Sequence, residues 1–452
     1  MNDQRDTQRM GKEQELRRNF RLVSTIGFTS FFMGTWEVLL TSNNQGLRAG
    51  GRPGLFWSLV WSYCGQTFIV LSMAEMSSMA TTAGGQYHVS SLGVAISQAK
   101  FSHQWVSEFA PRKYQSFLSY VAGWLSTLTW QNFIARACYL IGIIVQGLIY
   151  LGDSAYIPAR WQATLPIIAA SVGVSIINIF AAKHLPLAEA SDSVAHMAEE
   201  IENASIIVPQ LMVSAFVFNI PPTFAVLLAY LFTMPDVQEA LDSPTSYPFI
   251  HVFLKGAENA TSAMVMVVII LLLLILVTIS GLASESRQTF VFAHDQGLPF
   301  SSFLGTVHPT LHIPANSIIF TFMFSLAMSL TNIGSTVAFN ALVSLSTVAL
   351  MATYLISFTC LILRRVYCNP PLPPCWWPLG RFGLPVNTLA AVYAVWALFW
   401  SFWPIFHDVS AVNFNWAPVL FVGVMGASTV VYWLHARKVY EGTVAIVEDG
   451  KY

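Results

Sequence analysis

The run TIGFTSFFMGTWEVLL, from Thr25 to Leu40, sets one carboxylate, Glu37, directly behind an apolar stretch interrupted by Gly27, Gly34 and Thr35. An ionised side chain is costly in hydrocarbon and as a rule faces a cavity or a partner. Glycine weakens a helix interior. A helix broken in mid-membrane leaves N–H and C=O groups that can bind an ion or the ends of a small zwitterion. The chemistry on offer is therefore binding, with backbone at Met33, Gly34 and Thr35 and the Glu37 carboxylate as candidate groups. The competing account is structural: small residues let helices pack closely, and Glu37 then lies at the outer interface.

Other polar groups fall in apolar surroundings. Arg136 requires a carboxylate, carbonyl or water partner, and Trp130 and Gln131 in the same stretch are candidates either for lining a path or for packing. Glu75 follows a long apolar run, where a gate contact and simple solvation at the interface are equal alternatives. A polar stretch from His184 to Ser205 gathers Glu189, Asp192, Glu199, Glu200 and Glu202 between apolar runs. Catalytic signatures are missing: there is no GxxxxGK[ST] phosphate loop, HExxH helix or GxSxG elbow. His308 and His312 have a metal-like spacing, but Pro309 breaks the helix that would align them. No cofactor, metal or nucleic-acid partner is expected, and an enzyme is disfavoured.

The elements that position these groups follow from composition. Hydrophobic residues make up 55% of the chain and charged residues 10%, with a mean hydropathy of +0.57, far from the soluble average of about a quarter charged. Long unbroken apolar runs favour a bundle of membrane-spanning helices over a barrel, so the fold class is all-α and polytopic. At roughly 20 apolar residues per crossing, about ten spans are predicted. They lie near 22–40, 55–79, 117–151, 163–182, 206–232, 264–283, 315–331, 337–363, 384–406 and 416–434. Residues 1–20 read as a cytosolic tail, 21–436 as the membrane domain and 437–452 as a second cytosolic tail. With the N-terminus inside, only Arg48, Arg52, Arg160 and Lys255 of the 22 lysines and arginines fall outside, with Arg136 in a span. This puts the acidic stretch in the cytosol and the sequon Asn259-Ala260-Thr261 outside. The five cysteines show neither a disulfide framework nor zinc spacing.

Several stretches together, "MGTWEVLL", "LAEMSSM…TAGGQYH", "WVSEFAPRKYQSFLSYVAGWLSTLTWQ", "SVAHMAEEIENAS" and "SGLASESRQTFVFAHDQGLPFS", resemble the fungal branch of the amino acid, polyamine and organocation permeases. That branch includes carriers of amino acids, GABA and choline. The resemblance implies a secondary transporter of an amino acid or amine, with a LeuT-like inverted-repeat fold of twelve helices and substrate held at broken helices 1 and 6. On that pattern Ser191, Asp192, Ser193 and His196 belong to the remnant of helix 6 and oppose Met33, Gly34, Thr35 and Glu37. The coupling ion it implies is H⁺, and the membrane is the plasma membrane, with the vacuolar membrane as alternative.

Two departures stand out. The helix 6 remnant follows the fourth span after only AAKHLPLAEA, so helix 5 and the first half of helix 6 are missing relative to the family pattern. Conversely, Val89 to Gln104 intervenes where the pattern runs from GGQYH straight into WVSEFAP. Val-Ser can be encoded by GTNAGT and the final Gln by CAG, so this piece reads as a translated intron in a cytosolic loop, a tolerated insertion being the alternative. A chain that truly lacks half of its site is expected to be a non-transporting partner or regulator of an intact relative.

Overall fold

The computed structural model describes residues 34–79, 105–180 except 154, 204–367 except 244, 246, 309, 310, 312 and 335, then 371–404 and 414–440. All regular structure among these residues is helical. In chain order the helices are α1 (Thr35–Ser42), α2 (Asn44–Met79), α3 (Gln115–Gly152), α4 (Arg160–Phe180), α5 (Ala204–Thr233), α6 (Val237–Leu241), α7 (Pro248–Ala257), α8 (Ala260–His294), α9 (Ser301–Leu304), α10 (Ala315–Gly334), α11 (Thr336–Tyr367), α12 (Gly383–Ser401) and α13 (Ala417–Leu434). Nine helices among the described residues are long and apolar enough to cross a membrane. The tenth expected span is represented by α1, since 22–33 lies outside the described residues. Val89 to Gln104 and the stretch holding Ser191, Asp192, Ser193 and His196 also lie outside them.

Local chemistry sets the helix starts. Asn259 caps α8 by accepting from Thr261 N–H at 2.8 Å, and Asp236 caps α6 through Gln238 and Glu239 N–H. At 38 residues α3 is about 57 Å long, well beyond a hydrocarbon core of about 30 Å, so it tilts or projects.

The long helices pair across the two halves of the chain: α2 packs on α5, α3 on α8 and α4 on α10. First with fourth, second with fifth and third with sixth among these six is the order an inverted repeat produces. Two main cores result. On the Met79 side, Ile69, Met73 and Met76 of α2, Trp105, Phe109, Val208 and Met212 of α5, and Tyr354 and Phe358 of α11 pack together. On the Asn44 side, Leu40, Leu47 and Leu55 join Ile144 of α3, Leu227 and Tyr230 of α5, Phe249 of α7 and Leu274 of α8. Lipid is as apolar as these side chains, so close packing and polar contacts hold the helices together. Gly65 shows how close: a Cβ there would lie 2.0 Å from the Tyr393 ring of α12.

Polar contacts lock the Met79 end of α2. Glu75, buried, meets Arg365 Nη2 at 2.6 Å and accepts Leu379 N–H at 3.1 Å. Ser78 Oγ accepts from Trp376 and Trp377 N–H. Arg364 donates to the Glu108 carbonyl and carboxylate and to the Pro371 carbonyl. Solvation at an interface, one of the two readings of Glu75, is thereby corrected: the carboxylate is paired and covered. Towards the opposite end the surface carries exposed Trp57, Trp61, Trp161, Trp396, Trp400, Trp403 and Trp416, a girdle of the kind found at membrane–water interfaces.

Candidate functional site

α1 starts at Thr35, directly after Gly34, near which the helix break is expected. Gly34 adopts φ 54°, ψ 24°, the left-handed region, where a residue with a Cβ is strained. Its missing side chain brings two groups near: an added Cβ would lie 3.4 Å from Val277 Cγ2 of α8 and 3.7 Å from Glu37 Oε2. No side chain caps α1, and its first backbone bond runs from Val38 N–H to Gly34 C=O. The N–H groups of Thr35, Trp36 and Glu37 therefore have no partner within the helix, and the positive end of the helix dipole points at the break.

Glu37 is 4% exposed, and its Oε2 makes no hydrogen bond among the described residues. Placing it at a solvated interface does not fit that burial. Trp130 of α3, equally buried, packs on Phe133, Val277 and Leu350, and its Nε1–H makes no hydrogen bond among the described residues. Val277 thus stands between Gly34 and Trp130. The result is an acceptor and a donor, both buried and both unmatched, around one valine. Buried polar groups are nearly always satisfied, which makes both groups candidates for binding.

Thr35 turns to α5. Its hydroxyl donates to Asn219 Oδ1 at 2.9 Å and lies 3.1 Å from Thr223 Oγ1. Gln131 faces away from α1: its Nε2 donates to Glu285 Oε1 at 2.6 Å and to Thr321 Oγ1 at 3.1 Å, and Thr289 donates to the same carboxylate oxygen at 2.6 Å. It joins α3, α8 and α10. Arg136 donates to Ser42 Oγ, at the end of α1, at 2.8 Å. The structure therefore gathers Gly34, Glu37 and Trp130, fastens Thr35 to α5 and sends Gln131 elsewhere. Met33, Ser191, Asp192, Ser193 and His196 lie outside the described residues, as does His312, and no group of three His, Cys, Asp or Glu able to hold a metal occurs among the described residues. Sequence reading missed Asn219, Thr223 and Val277. The signal for the first two was there: NIPPT, a pair of prolines flanked by an amide and a hydroxyl in mid-span.

Known proteins provide the family. A Macrophomina phaseolina protein provisionally named an amino acid/polyamine transporter is 26% identical, over 86% of this chain and 96% of that one. The choline transporter of Saccharomyces cerevisiae is 23% identical over 94% and 83%, and amino-acid permease 2 of Neurospora crassa 22% over 96% and 87%. The alignments run over 456, 487 and 495 residues, more than the 452 of this chain, so these relatives carry stretches that it lacks. The pattern of the amino acid permease family matches residues 188–425, more than half of the chain. The chain belongs to the amino acid permease family, as its motifs anticipated.

Proposed function

We propose that this chain is a secondary transporter that binds a small amino acid or amine at the α1 break and exposes that site alternately to the two sides of the membrane. The observation that carries the reading is the pair of unmatched buried groups, Glu37 Oε2 beside Gly34 and Trp130 Nε1–H on the other side of Val277. An ammonium group donates to Glu37. A carboxylate accepts from Trp130 and from the N–H groups of the first turn of α1, an anion site at a helix N-terminus. A zwitterion satisfies both ends, a simple amine only the first. The names of the relatives, which cover amino acid, polyamine and choline carriers, support the same class. H⁺ is the coupling ion in this reading, and the plasma membrane its location.

Uptake of radiolabelled amino acids, 4-aminobutyrate and choline into proteoliposomes tests the proposal. Glu37→Gln removes the charge at constant shape and is expected to cut uptake at least tenfold, since charge-assisted hydrogen bonds are about twice as strong as neutral ones. Unchanged uptake would remove Glu37 from the mechanism.

A second reading is favoured by the alignments that outrun the chain: a permease lacking part of its fold that binds a relative and does not transport. Sequencing the transcript across codons 85 to 210 separates the two. A message with extra codons near 190 supports the transporter; one that matches this chain supports the partner.

A further inference from the structure

We infer that the Asn219–Thr223 segment of α5 is the hinge that couples occupancy of the α1 break to helix movement, with Asn219 and Thr223 as positioning residues. This rests on the reading of α1 as the substrate site.

Pro221 and Pro222 stand in mid-helix. Each lacks an N–H, so the carbonyls of Val217 and Phe218 lose their bonds from four residues ahead, and proline at such a place kinks a helix. Side chains on either side of the prolines bond to backbone carbonyls. Asn219 Nδ2 donates to Ala215 C=O at 2.8 Å, and the Thr223 hydroxyl to Asn219 C=O at 2.7 Å, a back-bond that itself favours bending. Asn219 is 4% and Thr223 1% exposed, so neither is there to meet water or headgroups.

Two further observations make the proline pair a joint. First, its two sides belong to different cores: Val208, Met212 and Ala215 pack with α2 and α11 on the Met79 side, while Leu227 and Tyr230 pack with α1, α3, α7 and α8 on the other. Tightly packed cores move as bodies, so relative motion between them falls on the helices that run through both, α2, α3 and α5, and α5 is the one that crosses from one core to the other at a proline pair. Second, the joint is wired to the site. Thr35, the residue after Gly34, donates to Asn219 Oδ1 and lies 3.1 Å from Thr223 Oγ1. The Tyr63 ring of α2 lies 5.6 Å from those of Phe216 and Phe224, on either side of the proline pair. A ligand that shifts the first turn of α1 thereby pulls directly on the hinge.

The test restores the missing donors with the double substitution Pro221→Ala, Pro222→Ala in the full chain, followed by uptake of labelled 4-aminobutyrate, choline and lysine into proteoliposomes and by ligand-induced thermal shift in detergent. The expected result is a maximal rate at least tenfold lower, with ligand binding kept and thermal stability equal or higher, because proline in a helix interior is unfavourable. Thr223→Val should lower the rate likewise, and Thr223→Ser should restore it. A merely structural role predicts the reverse, stability down and rate per folded molecule unchanged. Wild-type rate in the double variant, with wild-type uptake intact, overturns the hinge alone. A wild-type chain that neither binds nor moves any of the probes overturns the transporter reading and the hinge with it.

Discussion

Asp295 follows α8 with a carboxylate in thin company. His294 Nδ1 is 4.0 Å away, and Oδ2 is buried without a hydrogen-bond partner among the described residues. Burial pushes the carboxyl up from 3.8 to about 7. The unfolded chain therefore releases its proton first, and the folded state bears a penalty that is absent below about pH 4, grows through the window from there to about 7, and is complete above it. Asp295→Asn lifts that penalty. Its melting temperature in detergent should exceed the wild type's at pH 8, by the equivalent of up to about 4 kcal/mol, and match it near pH 4; an equal gain at both values would refute the assignment. At this scale the sequence was partly readable. Glu37 announced itself because a carboxylate in an apolar run is expensive, whereas Trp130 and Gln131, adjacent on one helix, could not be told apart until the helix faces were known. One looks at Gly34 through Val277 and the other at Glu285.

Helices were legible where apolar runs coincide with helical ones, and less so at their ends. The sixth expected span, 264–283, continues as α8 to His294, because SESRQTFVFAH stays helical after leaving the hydrocarbon-like run. What pattern reading could not supply was partnership between elements. Glu75 and Arg365 are 290 residues apart, and nothing local to either names the other. Their contact makes a sharp expectation for α2 and α11. Arg365→Met leaves a buried carboxylate alone and should cost about 3–5 kcal/mol. Adding Glu75→Gln should recover most of that loss, since replacing both partners spares the stranded charge. A thermal double-mutant cycle measures it; a second substitution that merely adds to the first would show that the pair is not coupled.

Across the whole molecule, the resemblance implied an inverted repeat but named no helix partners, and the pairing of α2 with α5, α3 with α8 and α4 with α10 came only with the structure, since a repeat of this kind leaves no periodic mark in a single sequence. By the same resemblance Val89 to Gln104 reads as foreign. Those residues join α2 to the helical turn at 105–109, both already anchored in the Met79-side core through Met79, Trp105 and Phe109. A chain lacking them should fold with unchanged melting temperature and uptake; loss of folded protein on deletion would show that the segment packs.

The tryptophan girdle has an optical consequence. Of the 14 tryptophans, those at positions 57, 61, 161, 396, 400, 403 and 416 are exposed, where acyl chains and headgroups reach them. Trp105 and Trp130 are shielded. Ultraviolet emission from the protein in a bilayer is therefore mostly a report on lipid, and ligand arrival at Trp130 would be lost in that glow. Brominated acyl chains, which quench on contact, would darken the girdle and leave the interior indoles visible.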